Sequence, residues 1–205
     1  MRRLDVPSRP LRATVAVDLW TPPGVADGTP LPLLVVHDGP EYEGQSALTE
    51  RASGWIAGGR VPAHRIALLH AGAREEWYSA SALYARALAN EVLPALGRAV
   101  AVAGAPVGMG ASLGGLAMLH AQRRYPAAFG ALFLQSGSFF QPRFDRTESS
   151  FRRYLRIVRF TGRVLRAADG PPVTTVLTCG LVEENLYNNR DITAALRRQI
   201  GRAHV

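Results

Sequence analysis

Gly110-Ala111-Ser112-Leu113-Gly114 places a serine between two glycines in the spacing G-x-S-x-G. That spacing does chemistry when a strand runs into it and a helix runs out. The serine then sits at a strained tip, and its neighbours one turn away must lack side chains to avoid a clash. A helix starting just after Ser112 would aim free N–H groups at the site, where they favour a developing oxyanion. Ser112 is therefore the candidate nucleophile and the Leu113 N–H a candidate oxyanion donor. A nucleophile of this kind needs a base, an acid to orient it and a second oxyanion donor.

The elements that would position these groups can be read from the hydrophobic pattern. Ala99 to Met109 is an apolar run suited to a buried strand, and Leu116 to Ala121 is helix-compatible up to Tyr125-Pro126. Leu11–Trp20 alternates as an antiparallel strand does. Leu31–His37 and His64–His70 are continuous apolar runs, as in strands buried on both faces. Ala131–Leu134 and Pro172–Cys179 complete the strands, and the sequence predicts loop over Ala71–Tyr78. Helices are predicted over Ser46–Ile56, Ala80–Leu96, the arginine-rich segment from Phe151 to Arg166, and Ile192–Gln199. Strands alternating with helices predict an α/β fold with a mostly parallel sheet and helices on both faces. There is no internal repeat or low-complexity linker, so residues 1–199 are expected to form one domain.

Composition bounds the function. The 205 residues are 47% hydrophobic and 20% charged, as in a globular protein. No apolar run is long enough to span a membrane, and the N-terminus lacks the apolar core of a signal peptide. A single cysteine, Cys179, excludes an internal disulfide and suits a reducing, cytoplasmic setting. It falls within a predicted strand without a nearby histidine, as an inert buried thiol does. The net charge of +8 comes from 24 arginines with no lysine, a bias that GC-rich codons also produce. Phe151, Tyr154, Leu155 and Val158 recur at helical spacing, so the six arginines from Arg152 to Arg166 read as a solvated face. No stacking-aromatic pattern accompanies them, and nucleic-acid binding ranks last among the readings.

Several segments together resemble the enterochelin-esterase-like (esterase D superfamily) α/β-hydrolases. They are Val35-Val36-His37-Asp38-Gly39-Pro40-Glu41-Tyr42, Arg74-Glu75-Glu76-Trp77-Tyr78, the GASLGGLAMLHA elbow, Phe129-Gly130, Gln135-Ser136-Gly137-Ser138, Thr178 to Leu186 and Asn188-Asn189-Arg190. The resemblance implies a triad in the chain order serine, acid, histidine. It carries the acid onto Glu183 through Gly180-Leu181-Val182-Glu183, with Glu184 as the fallback. It implies an oxyanion hole from the Leu113 N–H and an N–H in the turn after Leu31–His37. In related hydrolases the second donor follows the Asp-Gly, but here that residue is Pro40, which has no N–H. Gly39 and Glu41 are the remaining donors. Asp38 reads equally as a turn former and as a catalytic group. The resemblance also implies carboxylic-ester hydrolysis through an acyl-enzyme without metal or cofactor, on a small-molecule ester such as that of a ferric siderophore. Asp38, Tyr42, Arg74 and Arg190 are candidate substrate contacts, with Arg153 a further arginine that could meet an anionic substrate. An acyltransferase and a catalytically inactive binding scaffold are the alternatives, and the oligomeric state is left open.

The base is the gap. His37, His64, His70 and His120 all precede the acid, against the implied order, and read as structural; His37 is the least implausible substitute. His204 follows the acid, but the family pattern places a last strand before its histidine and a closing helix after. Ile200-Gly201-Arg202-Ala203-His204-Val205 matches the translation of a common sequencing adapter. The expectation is that 200–205 are non-native and that the natural chain continues with the last strand, the histidine and the last helix. An apolar sheet edge would then be exposed here.

Overall fold

The computed structural model describes residues 1–200. The expectations for His204 and the tail from Gly201 onward lie outside the described residues. Strands β1 (Arg2–Ser8), β2 (Ala13–Trp20), β3 (Leu33–Val36), β4 (Arg65–Leu69), β5 (Val107–Ala111), β6 (Ala131–Gln135) and β7 (Thr174–Thr178) form one sheet in the order β1-β2-β4-β3-β5-β6-β7. The first three neighbours pair antiparallel and β4, β3, β5, β6 and β7 pair parallel. This is the predicted α/β arrangement. β1 is the strand the pattern did not predict; it carries Pro7, which an edge position tolerates because no outer neighbour needs the missing N–H.

Helices cover both faces. On one side α4 (Ala82–Ala87), α5 (Leu93–Ala99), α6 (Leu113–Arg124), α7 (Tyr154–Arg166) and α8 (Leu186–Ile200) enclose the larger core, around Val35, Leu69, Tyr84, Leu116, Leu134 and Ile157. On the other, α1 (Gly39–Ser46) and α2 (Leu48–Ala57) accompany a smaller core of Trp20, Val36, Ala52, Ile66 and Leu68. β4 is buried at every residue, the apolar Ile66–Leu69 and the leading Arg65 alike. Towards β7 the cover thins: Thr175 is buried, while Val176 is 46% exposed and its strand is the sheet edge opposite β1 among the described residues.

Three local departures stand out, and two have a proline at their origin. The segment Ala80–Leu96 is not one α-helix: a π-helical turn, Leu88–Val92, separates α4 from α5, and the Leu93 N–H reaches the Leu88 carbonyl. Pro94 lies just beyond it and would crowd the Asn90 carbonyl in a continuous α-helix, which the wider turn relieves. The predicted turn after β3 continues as α1, because Pro40 suits the first helical turn, where its missing N–H has no partner anyway. The short α3 (Arg74–Tyr78) occupies part of the expected loop. Arg65 is wholly buried without a carboxylate; its guanidinium donates to the carbonyls of Ala26, Asp27, Thr29 and Ala101, tying two loops under the sheet.

Candidate active site

β5 ends at Ala111, α6 begins at Leu113, and Ser112 turns between them with φ 53° and ψ −122°. A non-glycine residue held there stores about 1–3 kcal/mol of strain, which the surrounding contacts must sustain. They do so by backbone bonds: the Ser112 N–H donates to the Gln135 carbonyl (2.9 Å), and the N–H groups of Leu116 and Ser138 donate to the Ser112 carbonyl (both 3.1 Å). Gly110 has to be glycine, since a Cβ there would stand 2.5 Å from the Gly114 carbonyl carbon. Gly114 comes almost as close to His37, 3.0 Å from its added Cβ to the His37 Cβ. The first-turn amides of α6, Leu113 among them, have no intrahelical acceptor and are free to meet an anion.

The turn after β3 lies against this elbow. Asp38 adopts a left-handed conformation (φ 51°), and Gly39 then packs so tightly that an added Cβ would lie 2.4 Å from the Leu68 Cα. Arg74 grips the Asp38 carboxylate with two bonds, Nε to Oδ1 at 2.9 Å and Nη2 to Oδ2 at 2.8 Å. Asp38 is thus a partnered group that holds the turn. The Tyr42 N–H returns to the Asp38 carbonyl, whereas the Gly39 and Glu41 amides fall in the first turn of α1, where helix geometry provides no acceptor. The Tyr42 hydroxyl donates to Gln135 Oε1 at 2.5 Å, and burial pushes the phenol up to about 12. Asp38, Glu41, Tyr42 and Arg74 line a cleft of about 370 Å³ that reaches Ala111 beside Ser112.

A larger cleft of about 530 Å³ opens over Ser112 and Leu113. Phe140, Phe144 and Phe151 supply its aromatic wall, and Asp145, Glu148, Glu183 and Glu184 its carboxylates. Glu183 accepts at one oxygen, Oε1, from the Ser136 hydroxyl (2.8 Å) and from the Gly180 N–H (2.7 Å). The other oxygen has no partner among the described residues. Glu184 shares the cleft without such an anchor. Arg190 stands apart, exposed at a separate cleft with Cys179, and Arg153 pairs with Glu76. Burial raises the Cys179 thiol and so favours its protonated form, although the residue is half-buried rather than enclosed as the sequence suggested.

The sequence reading did not assign roles to Ser138, Asn185 and Asn189. The Ser138 hydroxyl lies 2.9 Å from that of Ser112. Asn185 donates to the Ser136 carbonyl (2.6 Å), and Asn189 both accepts from the Gly137 N–H (2.9 Å) and donates to the Gly137 carbonyl (3.0 Å). Asn185 stands immediately before α8 and Asn189 in its first turn, four residues on, a spacing that could have flagged them as a clamp on the 136–138 turn.

No histidine among the described residues lines the Ser112 cleft. His37 comes nearest but is fully buried and used at both nitrogens. Nδ1 donates to the Gly114 carbonyl at 2.9 Å, so Nε2 is the acceptor for the Tyr84 hydroxyl at 2.8 Å. Burial lowers it to about 4, so it is neutral at pH 7 and structural. His70 pairs with Asp18, His64 faces the Pro62 carbonyl, and His120 lies further along α6.

The fold recurs in solved structures. Enterobactin esterase FES from Shigella flexneri, crystallised with 2,3-di-hydroxy-N-benzoyl-glycine, is 20% identical over 97% of this chain and 52% of its own, with a TM-score of 0.79. Ferric enterobactin esterase from Salmonella typhimurium is 22% identical over 95% of this chain and 49% of its own, with a TM-score of 0.76. A ferulic acid esterase is 18% identical over 96% and 84%, with a TM-score of 0.78. The chain thus spans about half the length of the enterobactin esterases it resembles. A search of curated proteins returns no match to the sequence. Residues 8–200 match the family model Esterase, described as "Putative esterase", and with its α/β-hydrolase fold the chain belongs to that family.

Proposed function

We propose that this protein is a serine carboxylic-ester hydrolase. Ser112 attacks the ester carbonyl, the alcohol leaves, and water then releases the acid from the acyl-enzyme. The Leu113 amide and one of the Gly39 and Glu41 amides receive the tetrahedral oxyanion. Glu183 holds an imidazole through its unoccupied oxygen, selecting the tautomer that accepts the serine proton. That imidazole comes from chain beyond residue 199, which leaves residues 1–199 as a single, incomplete esterase domain. The carrying observation is the Ser112 backbone itself: a strained serine at the start of α6, opening into the cleft that also holds Glu183. The mechanism requires no metal or cofactor, and the lone thiol suits the cytoplasm.

The substrate reading is an aryl ester. Phe140, Phe144 and Phe151 offer flat apolar surface, and the similar structures carry benzoyl and ferulic acid names. Four carboxylates in the lining favour a neutral ester over an anionic ferric siderophore. The absence of a histidine in this cleft among the described residues favours one rival, a ligand-binding scaffold without catalysis. Labelling by a fluorophosphonate, mapped by peptide mass spectrometry, separates the two. The esterase reading expects the tag on Ser112, faster when imidazole is added to the 205-residue chain. A folded chain unlabelled at Ser112 under both conditions overturns it.

A further inference from the structure

A second concave site lies on the far part of α6, roughly 12 Å along the helix axis from the nucleophile. His120, Arg123, Arg124 and Arg163 line a cleft of about 290 Å³ there, with Phe160, Val164 and Ala167 as its apolar part. Arg124 and Arg163 are exposed and form no ion pair among the described residues. Arg123 donates to Gln199 Oε1 (2.7 Å) and to the Asp169 carbonyl (3.4 Å), and the Asp169 carboxylate is the opposing charge felt by Arg123.

His120 is 7% exposed, and its ring nitrogens make no hydrogen bond to another side chain or backbone group among the described residues. Its ring meets Phe160 edge to face, with centroids 4.9 Å apart. Its nitrogens are not among the buried atoms left without a partner, so solvent reaches them through the cleft and a ligand can take that place. Burial, followed by the fields of Arg124, Arg163 and Arg156, lowers His120 to about 4. The cleft therefore has a cationic field and an unused polar group beside an apolar floor.

We propose that this cleft binds a small organic phosphate. Arg124 and Arg163 take the phosphate oxygens through their planar guanidinium forks, His120 supplies one more hydrogen bond, and the organic part lies on Phe160, Val164 and Ala167. The site is separate from the Ser112 cleft and does not depend on the esterase reading.

Calorimetric titration of the full chain with phenyl phosphate, inorganic phosphate and benzoate tests it. Phenyl phosphate is expected to bind most tightly, with inorganic phosphate and benzoate weaker. Arg124→Gln and Arg163→Gln, both at exposed positions, are each expected to weaken phenyl phosphate about tenfold. Arg152→Gln, exposed and outside the cleft, and Ser112→Ala are expected to leave it unchanged. Absence of binding overturns the proposal. So does an equal loss in Arg152→Gln, which would mean diffuse charge, or a loss in Ser112→Ala, which would place the ligand in the other cleft. Inorganic phosphate binding as tightly as phenyl phosphate would remove the organic part of the assignment.

Discussion

The hydroxyl of Ser138 lies 2.9 Å from the hydroxyl of Ser112, and the Ser138 N–H holds the Ser112 carbonyl at 3.1 Å. One residue thus touches the proposed nucleophile by both side chain and backbone. Ser138→Ala keeps the backbone bond and removes the hydroxyl that holds the Ser112 rotamer. Fluorophosphonate labelling of Ser112 should slow about three- to tenfold, with thermal stability changed by less than about 1 kcal/mol. An unchanged labelling rate would reduce Ser138 to a backbone prop.

Glu183 and Glu184 share the cleft, but Glu183 is anchored by Ser136 and Gly180. In a chain carrying its imidazole, Glu183→Gln should lower kcat on an aryl acetate by about two orders of magnitude or more, because the amide no longer stabilises the imidazolium. Glu184→Gln should stay within about threefold of the parent. The reverse ranking would move the acid to Glu184.

Acid should destabilise the fold through its buried histidines. His37 is neutral when folded, lowered from its ordinary 6.5 to about 4, and returns to the ordinary value on unfolding. Between those pH values the unfolded chain binds the extra proton, so stability is full above about 6.5 and falls as pH drops to about 4. The loss reaches about 3 kcal/mol for His37, and His120 adds in the same direction. Urea unfolding from pH 7.5 to 4 measures it. His37→Asn retains a donor for the Gly114 carbonyl and should flatten the acid limb while lowering stability at pH 7.5. An equally steep limb in that variant would assign the acid sensitivity elsewhere.

Gly110→Ala tests the elbow's geometry. The added Cβ would sit 2.5 Å from the Gly114 carbonyl carbon, a backbone atom that cannot swing aside. A loss of about 2–4 kcal/mol is expected by chemical denaturation, together with loss of Ser112 labelling. Gly97→Ala, where nothing lies within 4 Å of the added carbon, serves as the control and should retain both.

Much of the frame was legible because its signals are local. The glycine spacing at 110–114, the apolar runs of β3 and β4 and the strand that leads into Gly180–Glu183 each depend on neighbours a few residues away. Helix α1 was hidden because its eight residues, Gly39–Ser46, include two glycines and a proline, poor helix formers that tertiary packing overrides. The π-helical turn was hidden because apolar periodicity is nearly the same on either side of it.

By itself the sequence determined the serine, its glycines, the candidate acid and the alternation that makes a parallel sheet. Only the tertiary structure decided how those groups are used. It bound His37 to Gly114 and Tyr84, residues 77 and 47 positions away, which withdraws that imidazole from the proposed reaction. It joined Asp38 to Arg74 and brought Ser138 to Ser112 across 26 positions. Partners so distant in the chain leave no periodic trace in it, because packing selects them and spacing does not.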